Sequence, residues 1–277
     1  MRTWLGTRDG GRLVDPEEAR ISVLDHGFTV ADGVFETLKA TPDGAFALSR
    51  HLRRLVDSAR ALGLADPELD VVRSAVCDVL RGGVPDGLGR LRITYTGGVA
   101  PLGSDRGDAV PTLVIALAPA TPWPPTTSAV TVPWPRNERS ALAGVKSTSY
   151  AENVIALQRA HAAGASEAVL ANTRDELCEG TGTNVFIVRD GRVVTPALSS
   201  GCLAGITREL VIEWFGAVEE SLPIDVLTVA DEVLLTSSTR NVHPVVRLDD
   251  RVWDAAGPIG RDLQLAFDAR AAEDIDP

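Results

Sequence analysis

Four prolines, Pro119, Pro122, Pro124 and Pro125, fall within seven residues of APATPWPP. Proline locks φ and has no N–H, so neither a helix interior nor a central strand can run through such a stretch. An apolar strand signal, TLVIALA, precedes it and another, AVTVPW, follows, so it reads as a linker between two separately packed halves. The expected division is a first domain over 1–119, a linker over 120–126 and a second domain over 127–277. A chain of 277 residues is long enough to bury two cores.

Before the linker, short β-rich runs are broken by the turn signals RDGGR and TPDG, which predict hairpins. Leu52, Leu55, Val56, Ala59 and Leu62 then recur at three- and four-residue spacing. That period predicts an amphipathic helix over SRHLRRLVDSARALGL, with Ser49 as its cap, and a second helix follows from about Pro67 to Leu80. RLRITYT and TLVIALA are strands. Beyond the linker, strand signals (AVTVPW, EAVLA, TNVFIV, EVLLTS) alternate with helix signals (ENVIALQRAHAAG, ITRELVIEWFG, GRDLQLAFDAR). Strands and helices on both sides of one linker place the chain in the α/β or α+β class.

Thirty-eight acids against 27 Lys and Arg give a net charge of −11, which argues against nucleic acid or an anionic membrane as partner. No apolar run approaches the ~20 residues that span a bilayer, and MRTWLGTRDGGR lacks a signal-peptide core, so a cytoplasmic location is expected. Cys77, Cys178 and Cys202 are isolated and odd in number, and the four histidines have no ligand spacing. Neither disulfides nor a metal site are expected.

Lysine-based chemistry has only two candidates, Lys39 and Lys146, against 25 arginines. Lys146 sits in GVKSTSYAENV, a small-residue stretch that leads into a helix signal. Taken alone it reads as an exposed charge. Three segments follow it: LCEGTGTNVFIV, with Glu179 in a turn before a strand; SSGCLAGITRELVIEW, a Gly-rich loop opening a helix at Ile206 and Thr207; and LLTSSTRN, four hydroxyl residues at a strand end. A helix start offers free N–H groups to an anion. Each segment alone has an ordinary reading as a surface turn or a capped helix.

In this order, and together with DHGFTVADGVFETLKA and RHLRRLVDSARALGL, these segments resemble the class IV aminotransferases. That family includes branched-chain and D-amino acid aminotransferases and aminodeoxychorismate lyases. The resemblance implies pyridoxal 5′-phosphate (PLP) as cofactor, a small N-terminal α/β domain, a C-terminal pseudo-barrel, and a homodimer with active sites at the subunit interface. It places Lys146 as the Schiff-base lysine and proton carrier, and Glu179 as the carboxylate facing the pyridine nitrogen, which keeps the ring an electron acceptor. It places Arg54, the N–H groups of Ile206 and Thr207, and Ser238 or Thr239 on the cofactor phosphate. Tyr150 matches a tyrosine near cofactor and substrate, and packing against the ring is its alternative. Phe35, Lys39 and Arg92 are the substrate-side candidates, Arg92 matching an arginine that branched-chain enzymes present to acidic substrates. Arg106 and Arg240 are further carboxylate candidates.

DGVFETLKA, with Thr37 where branched-chain enzymes commonly have glycine, is more similar to the D-amino acid and lyase branches. The Arg-x-His carboxylate clamp of D-amino acid enzymes is replaced by Gly97 and Val99 in TYTGGVAP, and lyases also commonly have arginine at the Gly97 position. The expected activity is amino transfer from a D-amino acid, or a broad range of amino acids, to a 2-oxo acid. Pyruvate elimination from aminodeoxychorismate is the alternative and branched-chain L-amino acid transfer the third.

Overall fold

A computed structural model describes residues 1–277, the side chain of Pro85 excepted. The chain forms two compact units: Met1–Pro122 with Val145–Ser149 and Ile275–Pro277, and Trp123–Gly144 with Tyr150–Asp274. Residues 120–126 form neither helix nor strand. The segment carrying Lys146, expected with the C-terminal half, groups with the N-terminal one. The reason is local: Ser147 bridges to Val34, and Thr148 donates its N–H to Gly33.

The first unit is one antiparallel sheet. Its strands are β1 (Arg2–Thr7), β2 (Gly10–Val14), β3 (Gly33–Thr41), β4 (Gly44–Ala45), β5 (Gly89–Thr96) and β6 (Thr112–Pro119), in the order β2-β1-β6-β5-β3-β4. Both expected hairpins form, β1 with β2 and β3 with β4. Three helices accompany the sheet: the single turn α1 (His26–Thr29), then α2 (Leu48–Ala61) and α3 (Leu69–Leu80).

Strand side chains alternate faces. On β3 and β5 this sends Val34, Leu38, Leu91, Ile93 and Tyr95 into one apolar core with Leu52, Leu55 and Ala59 of α2 and Val72, Val76 and Val79 of α3. Each such side chain contributes roughly 1.5–3 kcal/mol of burial free energy. Ser49 is not the cap of α2. That position falls to Ala47, in the left-handed region at φ 54°, and Ser49 lies in the first turn, giving its N–H and hydroxyl to Asp276 at 2.7 and 2.6 Å.

The second unit is a mixed sheet of β7 (Thr127–Thr131), β8 (Glu167–Ala171), β9 (Leu177–Gly180), β10 (Asn184–Arg189), β11 (Arg192–Pro196), β12 (Val218–Glu220), β13 (Glu232–Ser237), β14 (Asn241–Leu248) and β15 (Arg251–Val252). The order is β12-β11-β10-β13-β14-β7-β8-β9, with β15 on β14. The β11–β12, β14–β7 and β7–β8 pairs are parallel. Helices α4 (Ala151–Ala162), α5 (Ile206–Phe215) and α6 (Pro258–Glu273) complete it. The expected α/β class is what the chain adopts. Among the described residues no helix is long and apolar enough to cross a membrane, and no cluster of His, Cys, Asp or Glu could hold a metal.

Candidate active site

Lys146 is anchored through its backbone in the first unit. Its carbonyl accepts the Phe35 N–H at 3.0 Å and its N–H donates to the Ser58 hydroxyl at 3.3 Å. Its Nζ stands 4.4 Å from the centroid of the Phe35 ring, and the Arg92 guanidinium carbon stands 3.6 Å from the same centroid. The Phe35 ring therefore serves two basic groups, each placed over it where the negative face of the ring attracts a cation. Phe35, Thr37 and Lys39 share a face of the sheet with their register partners Thr94, Arg92 and Arg90. That face carries the three expected substrate-side residues, Phe35, Arg92 and Lys39, of which Phe35 stands beside Lys146 and Lys39 lies one strand repeat beyond Thr37.

On the other face of β3, Glu36 is fully buried with no solvent exposure. Its two oxygens take Arg54 Nε at 2.8 Å and Nη2 at 2.6 Å, and His51 Nδ1 stands 2.6 Å from Oε2. A carboxylate only accepts, so His51 carries its proton on Nδ1. Burial alone would raise the Glu36 carboxyl; Arg54 and then His51 outweigh it and hold it down at about 2. Burial lowers His51, with Arg54 and Lys146 adding to the effect, so it is neutral. The expected phosphate arginine is thus clamped by a carboxylate that the sequence reading did not single out. The signal was present: an acid at the core-facing phase of a strand demands buried cations, and the helix face that covers it offers His51 and Arg54.

In the second unit, Glu179 is the penultimate residue of β9. Its Oε2 accepts the Leu203 N–H at 2.9 Å, and Arg136 Nε lies 3.2 Å from Oε1. Asn153 on α4 braces the arginine, accepting from Nη1 at 3.2 Å. Tyr150 occupies the N-cap position of α4 and is half-buried.

Two residues after Leu203, Gly205 is the N-cap of α5 and supplies no side-chain cap. A Cβ there would strike Asn184 Oδ1, while Asn184 Nδ2 ties the approach loop through the Leu203 carbonyl at 2.8 Å. The Ile206 and Thr207 N–H groups are therefore the first of the helix, where no intrahelical acceptor exists. At the end of β13 the buried Thr236 hydroxyl has no partner in the protein, and Ser238 and Thr239 are half-buried in the turn that follows.

An uncapped helix start, a glycine that only a bare backbone fits and a strand-end hydroxyl cluster form a donor set suited to a phosphate monoester. A carboxylate anchored by a backbone N–H suits a protonated ring nitrogen. A lysine beside an aromatic ring suits an aldehyde. These residues fit PLP.

The remaining arginine candidates have structural partners. Arg106 ion-pairs with Asp32 at 2.5 Å and donates to the Leu62 and Gly63 carbonyls at 2.8 and 3.0 Å. Arg240 is buried over the Trp123 ring and donates to the Ser166 hydroxyl and carbonyl at 3.3 and 3.1 Å. Gly97 is packed against Asp32, and Val99 is exposed.

The model of the family described as Amino-transferase class IV matches residues 33–248. A putative branched-chain-amino-acid aminotransferase of Methanocaldococcus jannaschii is 36% identical, with 93% of each chain covered. A D-alanine aminotransferase of Staphylococcus haemolyticus is 29% identical, covering 93% of this chain and 94% of that one. The solved branched-chain aminotransferase of Thermoproteus uzoniensis superimposes with a TM-score of 0.86 at 30% identity, covering 97% of this chain and 93% of the other. With more than three quarters of its length under the family model and these relatives along nearly all of it, the chain belongs to the class IV aminotransferases, which are PLP enzymes.

Proposed function

We propose that the chain transfers amino groups between apolar 2-amino acids and a dicarboxylic 2-oxo acid of the 2-oxoglutarate type, with Lys146 as the catalytic amine and Arg92 as the receiver of a substrate carboxylate. The observation that carries this reading is the shared Phe35 ring, 4.4 Å from the Lys146 amine and 3.6 Å from the Arg92 guanidinium carbon. PLP supplies, when bound, an electrophilic carbonyl and a ring that accepts carbanion charge. The protein does the rest. Lys146 anchors the cofactor covalently and moves the proton at the substrate α-carbon, which requires a neutral amine. Arg54, the Ile206 and Thr207 N–H groups and Ser238 or Thr239 hold the phosphate; Glu179 holds the ring nitrogen; Phe35 and Tyr150 wall the substrate, with Lys39 beyond Arg92. The homodimer of the family is part of the same proposal, and light scattering would read about twice the 29.3 kDa chain mass.

Two observations turn the reading toward branched-chain enzymes and away from the D-amino acid preference of the DGVFETLKA segment. Gly97 and Val99 supply no cation where the D-enzyme clamp would sit, and the 36% identical relative carries a branched-chain name. The D-amino acid reading retains the support of the 29% identical D-alanine relative. A half-reaction screen decides. L-leucine and L-glutamate should shift the absorbance of the yellow enzyme to that of the amine form, and Arg92→Met should raise KM for 2-oxoglutarate at least tenfold while sparing an apolar 2-oxo acid. A shift with D-alanine or D-glutamate alone establishes the D-enzyme instead, and pyruvate release from aminodeoxychorismate without an acceptor establishes the lyase. A Lys146→Ala protein that retains turnover overturns the reading altogether.

A further inference from the structure

Glu179 does not stand alone. Its Oε2 is fixed by the Leu203 N–H at 2.9 Å, and its Oε1 faces Arg136 Nε at 3.2 Å. Carboxylate and arginine are both shielded, their side chains 12% and 17% exposed. Arg136 is itself held: Nη1 donates to Asn153 Oδ1 at 3.2 Å, and the buried Asn153 sends its Nδ2–H to the Thr181 carbonyl at 2.5 Å, two residues past Glu179. Asn153 therefore ties the arginine to the same turn that carries the carboxylate. Among the described residues, Glu152, which is exposed, is the other carboxylate near the arginine, at 3.7 Å from Nη1.

We propose that Arg136, braced by Asn153, is a positioning residue that fixes both the orientation and the negative charge of Glu179 toward the cofactor ring nitrogen. The inference rests on the reading of Glu179 given above. With one oxygen on a backbone N–H and the other in ion-pair contact with a guanidinium whose buried Nε has no hydrogen-bond partner, turning the carboxylate about its Cγ–Cδ bond would lose the first contact and lengthen the second, so its plane is favoured before the cofactor arrives. The adjacent cation favours the ionised carboxylate. A proton shared with the ring then belongs to the ring nitrogen and not to Glu179, which is the state an electron-accepting ring needs. A lysine would supply the charge without the fork.

The test compares Arg136→Gln, Arg136→Lys, Asn153→Ser and Glu179→Gln. For each, the apoprotein is titrated with PLP to obtain its affinity, the absorbance of the bound cofactor is titrated with pH, and the apoprotein is melted to establish folding. Arg136→Gln should weaken PLP binding at least tenfold and move the pH midpoint of the absorbance; Arg136→Lys should restore the midpoint and only part of the affinity; Asn153→Ser should weaken binding about threefold. Affinity within twofold of wild type and an unmoved midpoint in Arg136→Gln, while Glu179→Gln changes both, overturn the inference and leave the role of Glu179 standing. If Glu179→Gln changes neither, the reading of Glu179 falls and the inference with it. Should Arg136→Gln fail to fold, Arg136→Lys and Asn153→Ser decide, and wild-type behaviour of both overturns the inference.

Discussion

Replacing Glu36 by glutamine tests the buried Glu36–Arg54–His51 cluster in a way that ordinary packing cannot imitate. The wild-type carboxyl is held at about 2 against an ordinary 4.5. At about 1.4 kcal/mol for each tenfold change in proton affinity, that difference stabilises the folded state by about 3 kcal/mol at neutral pH. The sign follows from the direction. A depressed carboxyl contributes its stability above its unfolded value, and loses it as pH falls from about 4.5 to about 2. Glutamine has one acceptor oxygen for three donors, Arg54 Nε, Arg54 Nη2 and His51 Nδ1, and presents an NH₂ group to at least one of them. Glu36→Gln should therefore melt roughly 10 °C lower than wild type at pH 7. Apoprotein melts at pH 7, 5, 4 and 3 should show that gap closing from pH 5 downward, because the wild-type advantage is itself titrated away. A gap of constant size from pH 7 to pH 3 would refute the reasoning, since a packing defect does not depend on protons.

Two further outcomes are expected of the scaffold. Ala31, held at φ 55° where an L-residue with a side chain is disfavoured, should gain about 0.5–1 kcal/mol when replaced by glycine, read as a melting temperature raised by a few degrees; a lower value contradicts the strain argument. His243 is pushed down to about 4 by burial and then by Arg240, so it is neutral in the folded state and its contribution is present above pH 6.5 and lost as pH falls toward 4; His243→Gln should flatten the pH dependence of stability in that window, and an unchanged slope would count against it.

The sequence exposed some parts of this molecule and concealed others for identifiable reasons. Helix α2 was legible because Leu52, Leu55 and Ala59 repeat with the helical period and all three are buried. Its start was not: Ala47 takes the cap with a left-handed backbone, and Ser49, the residue with a capping side chain, is drawn to Asp276, some 227 positions away. Strand β14 was hidden because His243 and Pro244 break its pattern, and a proline missing one ladder hydrogen bond argues against a strand on sequence grounds. The site residues that resemble a family pattern, Lys146 and Glu179, sit in loops and strand ends with small neighbours. Glu36, His51, Arg136 and Asn153 went unremarked because their significance is pairwise: a buried acid means little until the fold supplies its arginine.

The Glu36–Arg54 and Glu179–Arg136 pairs use the same chemistry to opposite ends. Glu36 is buried completely and gives both oxygens to Arg54 and His51, so the anion exists to hold a cation. Of the pair, Arg54 alone keeps any exposure, 11%. At Glu179 the order is reversed. The arginine is braced by a neutral amide, and the carboxylate meets a backbone N–H and one edge of the guanidinium. Glu36, shared between the Arg54 fork and the His51 ring, is held well below the ordinary carboxylate range. The geometry around each carboxylate, more than the presence of either, therefore sets which of the pair is held and which is left to act.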